Sequence, residues 1–299
     1  MIETYEEFVS RLMNRIAEES SEEISFSRRS ILKNNNKRLD AITVCRAGYD
    51  LCPTIYPEFY YQQYQKGEDF ETLLMRIMEG IRHEITAERI ELKNVSDFHR
   101  MKDKVVFRLI NASRNQELLS DLAHVLYLDL AIVFACVVSV KEEETASFLI
   151  HKEHLMMWNT TVEELFELAK DNTPRLFPAC CQDLSDVIEK EYPKELPPMG
   201  NLKHECMYVL SNQHRIHGAS CILYRHILKE IGEKMGCDLY IIPSSVHETL
   251  IIPSRLDLDV SQFRKVIMEV NATAVSEEEY LSDHAYLYKR KSNKLQSIA

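Results

Sequence analysis

The chain has 299 residues, and its 47 acidic side chains outnumber its 36 lysines and arginines, which gives a formal net charge of −11. This balance argues against a general nucleic-acid-binding protein, which would present a basic face to the phosphates. Only 7 residues are glycine, and they form neither a G-x-G-x-x-G nor a G-x-x-x-x-G-K-[ST] pattern. Dinucleotide-binding enzymes and P-loop NTPases of the usual kinds are therefore excluded.

The N-terminus is acidic and polar, without the basic and apolar regions of an export signal. The longest apolar run, residues 130–138, is much shorter than the roughly 20 residues of a membrane-spanning helix. We therefore expect a cytoplasmic protein with no membrane contact. None of the 8 cysteines forms a C-x-x-C pair, and in a cytosol we expect all of them to be reduced thiols.

The first 100 residues carry patterns of helix and hairpin. Residues 2–18 are apolar at helical spacing, and residues 22–46 read as two strands joined by a turn at the asparagines 34–36. Asp69 is placed to cap a further helix. Between them lies an aromatic cluster on a short helix, whose interface candidates are Tyr56, Phe59, Tyr60 and Tyr64. Such rings can stack on bases, but the negative net charge favours a core or a protein interface.

The rest of the chain alternates strands and helices. The predicted strands are residues 105–110, 129–140, 145–150, 207–210, 239–242, 247–252 and 286–288. The predicted helices are residues 118–126, 160–170, 221–235 and 257–270. Residues 178–206 are rich in prolines and acids, which predicts a loop or insertion with a short helix at 184–191. The basic tail from residue 289 should be frayed.

A strand-strand-helix pattern occurs at residues 128–170 and 238–270, with a looser copy at 22–66. The pattern is common, so duplication and coincidence both stay open. Units of this kind bury one face of a sheet under a helix. We therefore predict an α+β fold with helices packed on a mixed or antiparallel sheet. A smaller N-terminal region, 1–100, should precede a larger C-terminal one, 101–299.

Five short segments follow one another in a distinctive order. They are P-T-I-Y (53–56), N-T-P-R-L (172–176), D-L-Y-I-I-P-S-S-V-H-E (238–248), V-N-A-T (270–273) and L-S-D (281–283). Together they resemble an uncharacterised bacterial family, domain-of-unknown-function family 5688, over most of the chain. The second half is also similar to a more distant uncharacterised bacterial family, number 1444. The resemblance implies a bacterial, cytoplasmic α+β protein, and it supplies no activity and no catalytic residue.

The first candidate site is a predicted turn between two apolar strands. It holds two hydroxyls, an imidazole and a carboxylate, those of Ser244, Ser245, His247 and Glu248. A serine and a histidine could act as nucleophile and base, with Glu248 orienting the ring. Adjacent strand residues point to opposite faces, however, so His247 and Glu248 reach one site only if a bulge intervenes. A ligand-binding turn and a plain hairpin turn with capping hydroxyls stay open.

A second candidate is the pair Asn172 and Arg175, where Pro174 is expected to end a helix. Arg175 could clamp a carboxylate or a phosphate, or could pair with one of the many acids. His151 and His154 could bind a metal or act as acid and base, but an exposed turn is the simpler interpretation. The His/Cys-rich residues 204–221 lack the C-x-x-C half of a zinc site. We predict no metal and no cofactor.

Every enzyme signature that can be tested is absent or scrambled. The leading prediction is therefore a non-catalytic cytosolic binding or protein-interaction module, with a regulatory role open. The partner could be another protein, and no nucleic acid is expected. The alternative is a hydrolase or transferase of an unfamiliar type, with its site near residues 244–248 and Arg175.

Overall fold

The computed structural model describes residues 3–20, 23–47, 52, 54–86, 95–140, 145–191, 207–256 and 258–298. The chain divides into two compact units. Unit 1 comprises Met1–Lys33 and Lys37–Arg100, and unit 2 comprises Asn34–Asn36 and Met101–Ala299. Helices accompany sheets in both units, and every strand pairing among the described residues is antiparallel. The fold is α+β, as predicted.

Unit 1 is built from helices and one three-stranded sheet. Its elements are α1 (Tyr5–Glu19), β1 (Ile24–Leu32), β2 (Arg38–Arg46), β3 (Thr54–Ile55), α2 (Pro57–Gln65) and α3 (Phe70–Thr86). The strands pair in the order β1-β2-β3. A capping box starts α1, because the Thr4 hydroxyl accepts from the Glu7 N–H while the Glu7 carboxylate accepts from the Thr4 N–H. Asp69 accepts from the Thr72 N–H at 3.1 Å, which confirms the predicted cap.

The core of unit 1 lies between α1, α3 and β2. Its central buried side chains are Phe8, Val9, Leu12, Ile16, Ile42, Val44, Leu73 and Ile77. Tyr60 and Tyr64 of the aromatic cluster pack against this core, and the ring centroid of Tyr64 lies 5.3 Å from that of Phe8. Phe59 is 59% exposed, and the Lys33 ammonium lies 4.7 Å from the Tyr56 ring centroid. The interface prediction for these four residues stays a prediction.

A disulfide joins Cys45 and Cys52 in unit 1. The expectation that all eight cysteines are reduced thiols is therefore wrong for this pair. β2 and β3 pair antiparallel, and the two Cα atoms lie 4.7 Å apart, within the range that a disulfide requires. No sequence signal marks this pair, because the 7-residue separation matches no familiar cysteine motif.

Unit 2 holds the remaining elements, after α4 (Phe98–Met101). They are β4 (Val105–Asn111), α5 (Gln116–Asp121), β5 (His124–Tyr127), β6 (Leu130–Val140), β7 (Thr145–Leu149), α6 (Lys152–Trp158), α7 (Val162–Leu176), β8 (Ala179–Asp183), α8 (Leu184–Glu191), β9 (Tyr208–Asn212), α9 (Ile227–Met235), β10 (Leu239–Pro243), β11 (Thr249–Pro253), α10 (Phe263–Ala274), β12 (Tyr286–Lys289) and β13 (Lys294–Ser297). In one sheet, β6 pairs with β4 on one side and with β5 and β7 on the other. The other sheet has the order β13-β12-β10-β11-β9-β8.

Several predicted boundaries in unit 2 are corrected by sheet pairing and by local turns. The predicted helix 118–126 ends at Asp121, because the residues after it pair with β6 as β5. The predicted loop 178–206 begins with β8, which pairs with β9, and continues with the expected short helix α8. Its remainder, residues 192–206, lies outside the described residues. The tail is not frayed, since β13 pairs with β12.

Two predicted helices in unit 2 also have different limits. Pro174 does not end α7, which continues to Leu176. The helix packs along β4, and the Phe177 N–H still bonds to the Thr173 carbonyl at 2.8 Å. The predicted helix 221–235 is split, because residues 218–223 form a 3₁₀ turn and α9 begins only at Ile227. It does end at Gly236, which has a φ of 74°.

Both strand-strand-helix patterns of unit 2 form, as β6-β7 followed by α6 and α7 and as β10-β11 followed by α10. Their origin by duplication stays a prediction. In the part of the chain that the structure describes, no helix combines the length and the apolar character needed to cross a bilayer.

Buried asparagines fasten the 34–36 segment inside unit 2. The Asn115 carboxamide accepts from the Asn35 N–H at 2.7 Å and donates to the Asn35 Oδ1 at 3.0 Å. Asn35 in turn donates to the carbonyls of Glu277 and Tyr280. Asn115 is fully buried, so these bonds replace water that cannot reach the amides.

Replacing Asn115 by alanine should destabilise unit 2, because it leaves a buried N–H and a buried carbonyl oxygen of Asn35 without partners. We expect the free energy of unfolding to fall by about 2–4 kcal/mol, measured by urea denaturation. Gln116→Ala is the control, since Gln116 is exposed beside it and should change little. Equal effects of the two substitutions would contradict this account.

Candidate functional site

A small cavity in unit 2 lies between β4, the end of α7 and the loop after β9. Its polar lining residues are Arg108, Thr173, Asn212, His217 and Ser220. The space between them admits little more than a water molecule. Arg108, Ile216 and His217 keep partial exposure, whereas the other lining residues are buried. A ligand group could therefore enter the cavity past these three side chains.

Arg108 interrupts the apolar strand β4 on the face that it shares with Val106. Val106 packs in a cluster with Ala135, Val137 and Phe177, so the guanidinium crosses an apolar surface. It donates to the Ser147 hydroxyl on β7 at 2.6 Å, and the described residues place no carboxylate within ion-pair distance of it. Burial lowers the pKa of Arg108 to about 10. The side chain is therefore still a cation at neutral pH, and the described residues supply no anionic partner for it.

His217 faces the same cavity from a left-handed backbone conformation, with a φ of 52°. Its backbone N–H donates to the Nδ1 atom of His247 at 3.2 Å, and the two imidazoles stack with ring centroids 5.7 Å apart. The Nδ1 atom of His217 is buried and has no hydrogen-bond partner among the described residues. Burial, the positive charge of Arg108 and then His247 hold the pKa of His217 well below its usual value. The ring is therefore neutral at physiological pH.

The neutral polar groups of the lining already have partners. The Thr173 hydroxyl accepts from the Phe107 N–H at 3.1 Å and donates to the Ala169 carbonyl at 2.6 Å. The Asn212 side chain bonds to the backbone of its own loop, and the Ser220 hydroxyl donates to the His217 carbonyl. Among the described residues, the Ser147 hydroxyl is the hydrogen-bond partner shown for the Arg108 guanidinium, and the buried Nδ1 of His217 has none. A cation beside a neutral ring nitrogen suits an anionic group.

Gly218 allows the loop to approach closely enough to form the cavity. A Cβ atom at this position would lie 2.1 Å from the Ser211 Oγ and 2.5 Å from the His247 carbonyl oxygen. No side chain fits into that gap. The glycine therefore fixes where His217 sits against the turn between β10 and β11.

Comparison with known proteins identifies the family. A family model described as "Family of unknown function (DUF5688)" matches residues 5–290. The chain belongs to DUF5688. This confirms the resemblance that the five sequence segments carry, whereas the similarity to family 1444 stays a prediction. No curated protein and no solved structure matches the chain.

In this DUF5688 protein, the turn at residues 244–248 contributes His247 to the cavity region. The Ser245 hydroxyl accepts from the His247 backbone N–H at 3.0 Å, and the Ser245 N–H donates to the Glu248 carbonyl at 3.2 Å. Both contacts are those of a capped turn. Among the described residues, no hydrogen bond joins the hydroxyl of Ser244 or Ser245 to the His247 ring. The acid nearest the ring is Glu279, whose Oε1 lies 3.7 Å from the Nε2 atom.

Asn172 and Arg175 are occupied elsewhere in unit 2. Asn172 donates to the carbonyls of Lys102 and Val105, and Arg175 donates to the carbonyl of Asp103 at 2.5 Å. These bonds attach the end of α7 to the chain that enters β4. In the described parts of the chain, no hydrogen bond or ion pair joins either residue to the turn at 244–248. The α7 residue that lines the cavity is Thr173, which lies between them.

His151 and His154 start α6 and do not form an exposed turn. The His151 N–H donates to the Nδ1 of His154 at 2.9 Å, and the Nδ1 of His151 lies 2.6 Å from the Asp121 carboxylate. Burial lowers the pKa of His154, whose ring stacks on Trp158. Among the described residues, no three metal-binding side chains cluster. His204 and Cys206 of the zinc candidate lie outside those residues.

Arg108 was missed by the sequence analysis, although one signal could have found it. It is the single charged residue in the run V-V-F-R-L-I-N, and a lone charge in an otherwise buried strand calls for a partner. His217 was noticed only as part of a zinc candidate. Its contact with His247 depends on the pairing of β9 with β11, which periodicity does not specify.

A methyl group at residue 218 should disrupt the cavity, because it collides with Ser211 and with backbone on two sides. We expect Gly218→Ala to lower the free energy of unfolding by about 3 kcal/mol. Gly80→Ala is the matched control, since Gly80 lies in α3 with open space around it; it should gain about 0.5–1 kcal/mol. Thermal and urea denaturation measure both. A Gly218→Ala protein as stable as the wild type would disprove the tight fit.

The pH dependence of stability should report on His217. Its folded-state pKa lies well below the ordinary 6.5, so the unfolded chain binds more protons as the pH falls through that value. The free energy of unfolding should then decrease with acidification, by at most about 1.4 kcal/mol per pH unit.

His217→Asn, which tolerates the left-handed backbone, should flatten this part of the profile. His226→Asn is the control, because His226 is exposed and also left-handed, with a φ of 70°. Urea denaturation at a series of pH values measures the slope. Parallel profiles for wild type and His217→Asn would contradict the assignment.

Proposed function

We propose that this DUF5688 protein is a non-catalytic binding module that takes an anionic group at Arg108 and His217. The supporting observation is the guanidinium of Arg108, which has a single hydroxyl partner and no carboxylate within ion-pair distance in the described chain. A buried charge without a counter-ion is unfavourable. A bound anion offsets that cost, and the protein then gains stability from the ligand.

A binding role accounts for the histidines better than catalysis does. The Nδ1 of His247 accepts a hydrogen bond from the His217 backbone, so it has no free lone pair for the proton of a nucleophile. Its Nε2 faces Glu279 at 3.7 Å. The alternative of a hydrolase or transferase near residues 244–248 stays a prediction, since no nucleophile among the described residues bonds to that ring.

The proposal also covers the kind of organism, the compartment and the source of the anionic group. We propose a bacterial, cytoplasmic protein whose anionic group belongs to a small molecule or to a protein partner, with a regulatory outcome. The net charge of −11 disfavours nucleic acid as the source of that group, because the rest of the surface would repel a polyanion. The Cys45–Cys52 disulfide makes the compartment worth testing by thiol labelling in cells.

Arg108→Met tests the proposal directly. Without added anion, the variant should be as stable as the wild type or more stable, by up to about 3 kcal/mol, because an uncompensated charge is removed. Formate, phosphate and chloride should be titrated separately in thermal-shift measurements, at an ionic strength held constant with methanesulfonate. At least one anion should raise the melting temperature of the wild type in a saturable way, and Arg108→Met should lose that response.

Arg225→Met is the matched control. Arg225 is 58% exposed and lies 3.9 Å from its acidic neighbours Glu167 and Asp171, so the variant should keep the full anion response. The proposal fails if no anion stabilises the wild type, or if Arg108→Met responds as the wild type does.

A further inference from the structure

We infer that the anionic group is a carboxylate, held jointly by the Arg108 guanidinium and by the Nδ1–H of a neutral His217. This inference rests on the proposed function. The class of ligand is then a carboxylic acid, and the second donor is the Nδ1 of His217, which has no partner among the described residues. The carboxylate can belong to a small acid or to the end or side chain of a polypeptide.

The size of the cavity favours a flat group. The space between the lining residues admits little more than a water molecule, so one oxygen atom of a ligand can enter it. A carboxylate places one oxygen inside while its second oxygen and its substituent remain at the mouth, where Arg108, Ile216 and His217 are partly exposed. A phosphate or sulfate is tetrahedral and would leave three oxygens at that mouth, where a carboxylate leaves one.

The charge of the site matches a monoanion. Arg108 and His247 are the titratable groups that face His217 from the neighbouring elements β4 and the β10–β11 turn. Glu279 lies behind His247, and on the loop of His217 itself the His214 ring packs edge-on against Phe177. Arg215 on that loop reaches the Gln182 side chain at 3.3 Å. Arg108 is the one lysine or arginine among the described residues that line the cavity, so a phosphate dianion would leave a negative charge uncompensated.

The donors of the site also fit a planar ligand. The planar guanidinium matches a carboxylate with two parallel N–H donors, and one N–H of Arg108 is used by Ser147. The His217 Nδ1 is buried in the same lining and has no partner among the described residues. In the tautomer with its proton on Nδ1, the ring donates to a ligand oxygen without adding charge. The guanidinium of Arg108 and the ring of His217 together supply an N–H donor to each carboxylate oxygen.

The first test compares ligands on the unmodified protein. Formate, acetate and N-acetylglycine should bind saturably in calorimetric titrations at pH near 8, while phosphate and N-acetylglycinamide should not. Binding of N-acetylglycine at least tenfold tighter than acetate would indicate a polypeptide carboxylate as the natural source, and equal binding would indicate a small acid. In ¹⁵N spectra of the imidazoles, His217 should show a protonated Nδ1 and a bare Nε2 in the formate complex.

The second test uses two substitutions that both tolerate the left-handed backbone of residue 217. His217→Asn carries an amide N–H donor at the corresponding branch and should retain formate binding within about threefold. His217→Gly carries no donor and should lose about tenfold, the value of one hydrogen bond to a charged group. His226→Gly, at the exposed left-handed histidine, is the control and should bind as the wild type does.

The outcomes separate this inference from the proposed function. Arg108-dependent binding of chloride or phosphate without carboxylate binding would overturn the inference and leave the anion site standing. Carboxylate binding that is unchanged in His217→Gly would overturn the role of the ring nitrogen. The absence of any Arg108-dependent anion binding would overturn both.

Discussion

The arrangement of residues around the cavity of unit 2 depends on one positive charge in the middle of an apolar strand. Arg108 lies on the sheet face where Val106, Ala135 and Val137 pack against Phe177, which follows α7, and its guanidinium reaches one hydroxyl on β7. A charge in this position restricts which side chains can pack against that face of the sheet. The elements next to Arg108 bring polar groups that are already paired with backbone. They also bring the imidazole of His217, whose pKa is lowered by burial and by the nearby guanidinium.

The loop after β9 packs beside Arg108 because of the conformation of its backbone. Two residues of the loop, Arg215 and His217, have positive φ angles, and the Asn212 side chain bonds to the backbone between them. Gly218 then lets the chain pass within contact distance of Ser211 and of the β10–β11 turn. The backbone of this loop therefore places His217 beside His247, and the His217 N–H bonds to the Nδ1 of that ring.

The sequence predicted the elements with strong local patterns, and it missed what depends on contacts between distant segments. The periodicity of α1, the asparagine turn of the hairpin and the Asp69 cap of α3 each act within a few residues, and the sequence predicts each of them. The partner of His247 was sought in Glu248, its neighbour in sequence, whereas the nearest acid is Glu279. The Cys45–Cys52 pair and the cavity at Arg108 likewise require knowledge of which strands pair.

The asparagine segment 34–36 has a consequence for how the chain can be divided. Unit 2 is discontinuous in sequence, because this segment belongs to it while its flanking strands β1 and β2 belong to unit 1. A fragment that starts at residue 101 would lack the backbone and side-chain groups that Asn115 bonds within unit 2. An evolutionary exchange of either unit by simple fusion would meet the same obstacle. Unit 2 is therefore complete only in a chain that also contains residues 34–36.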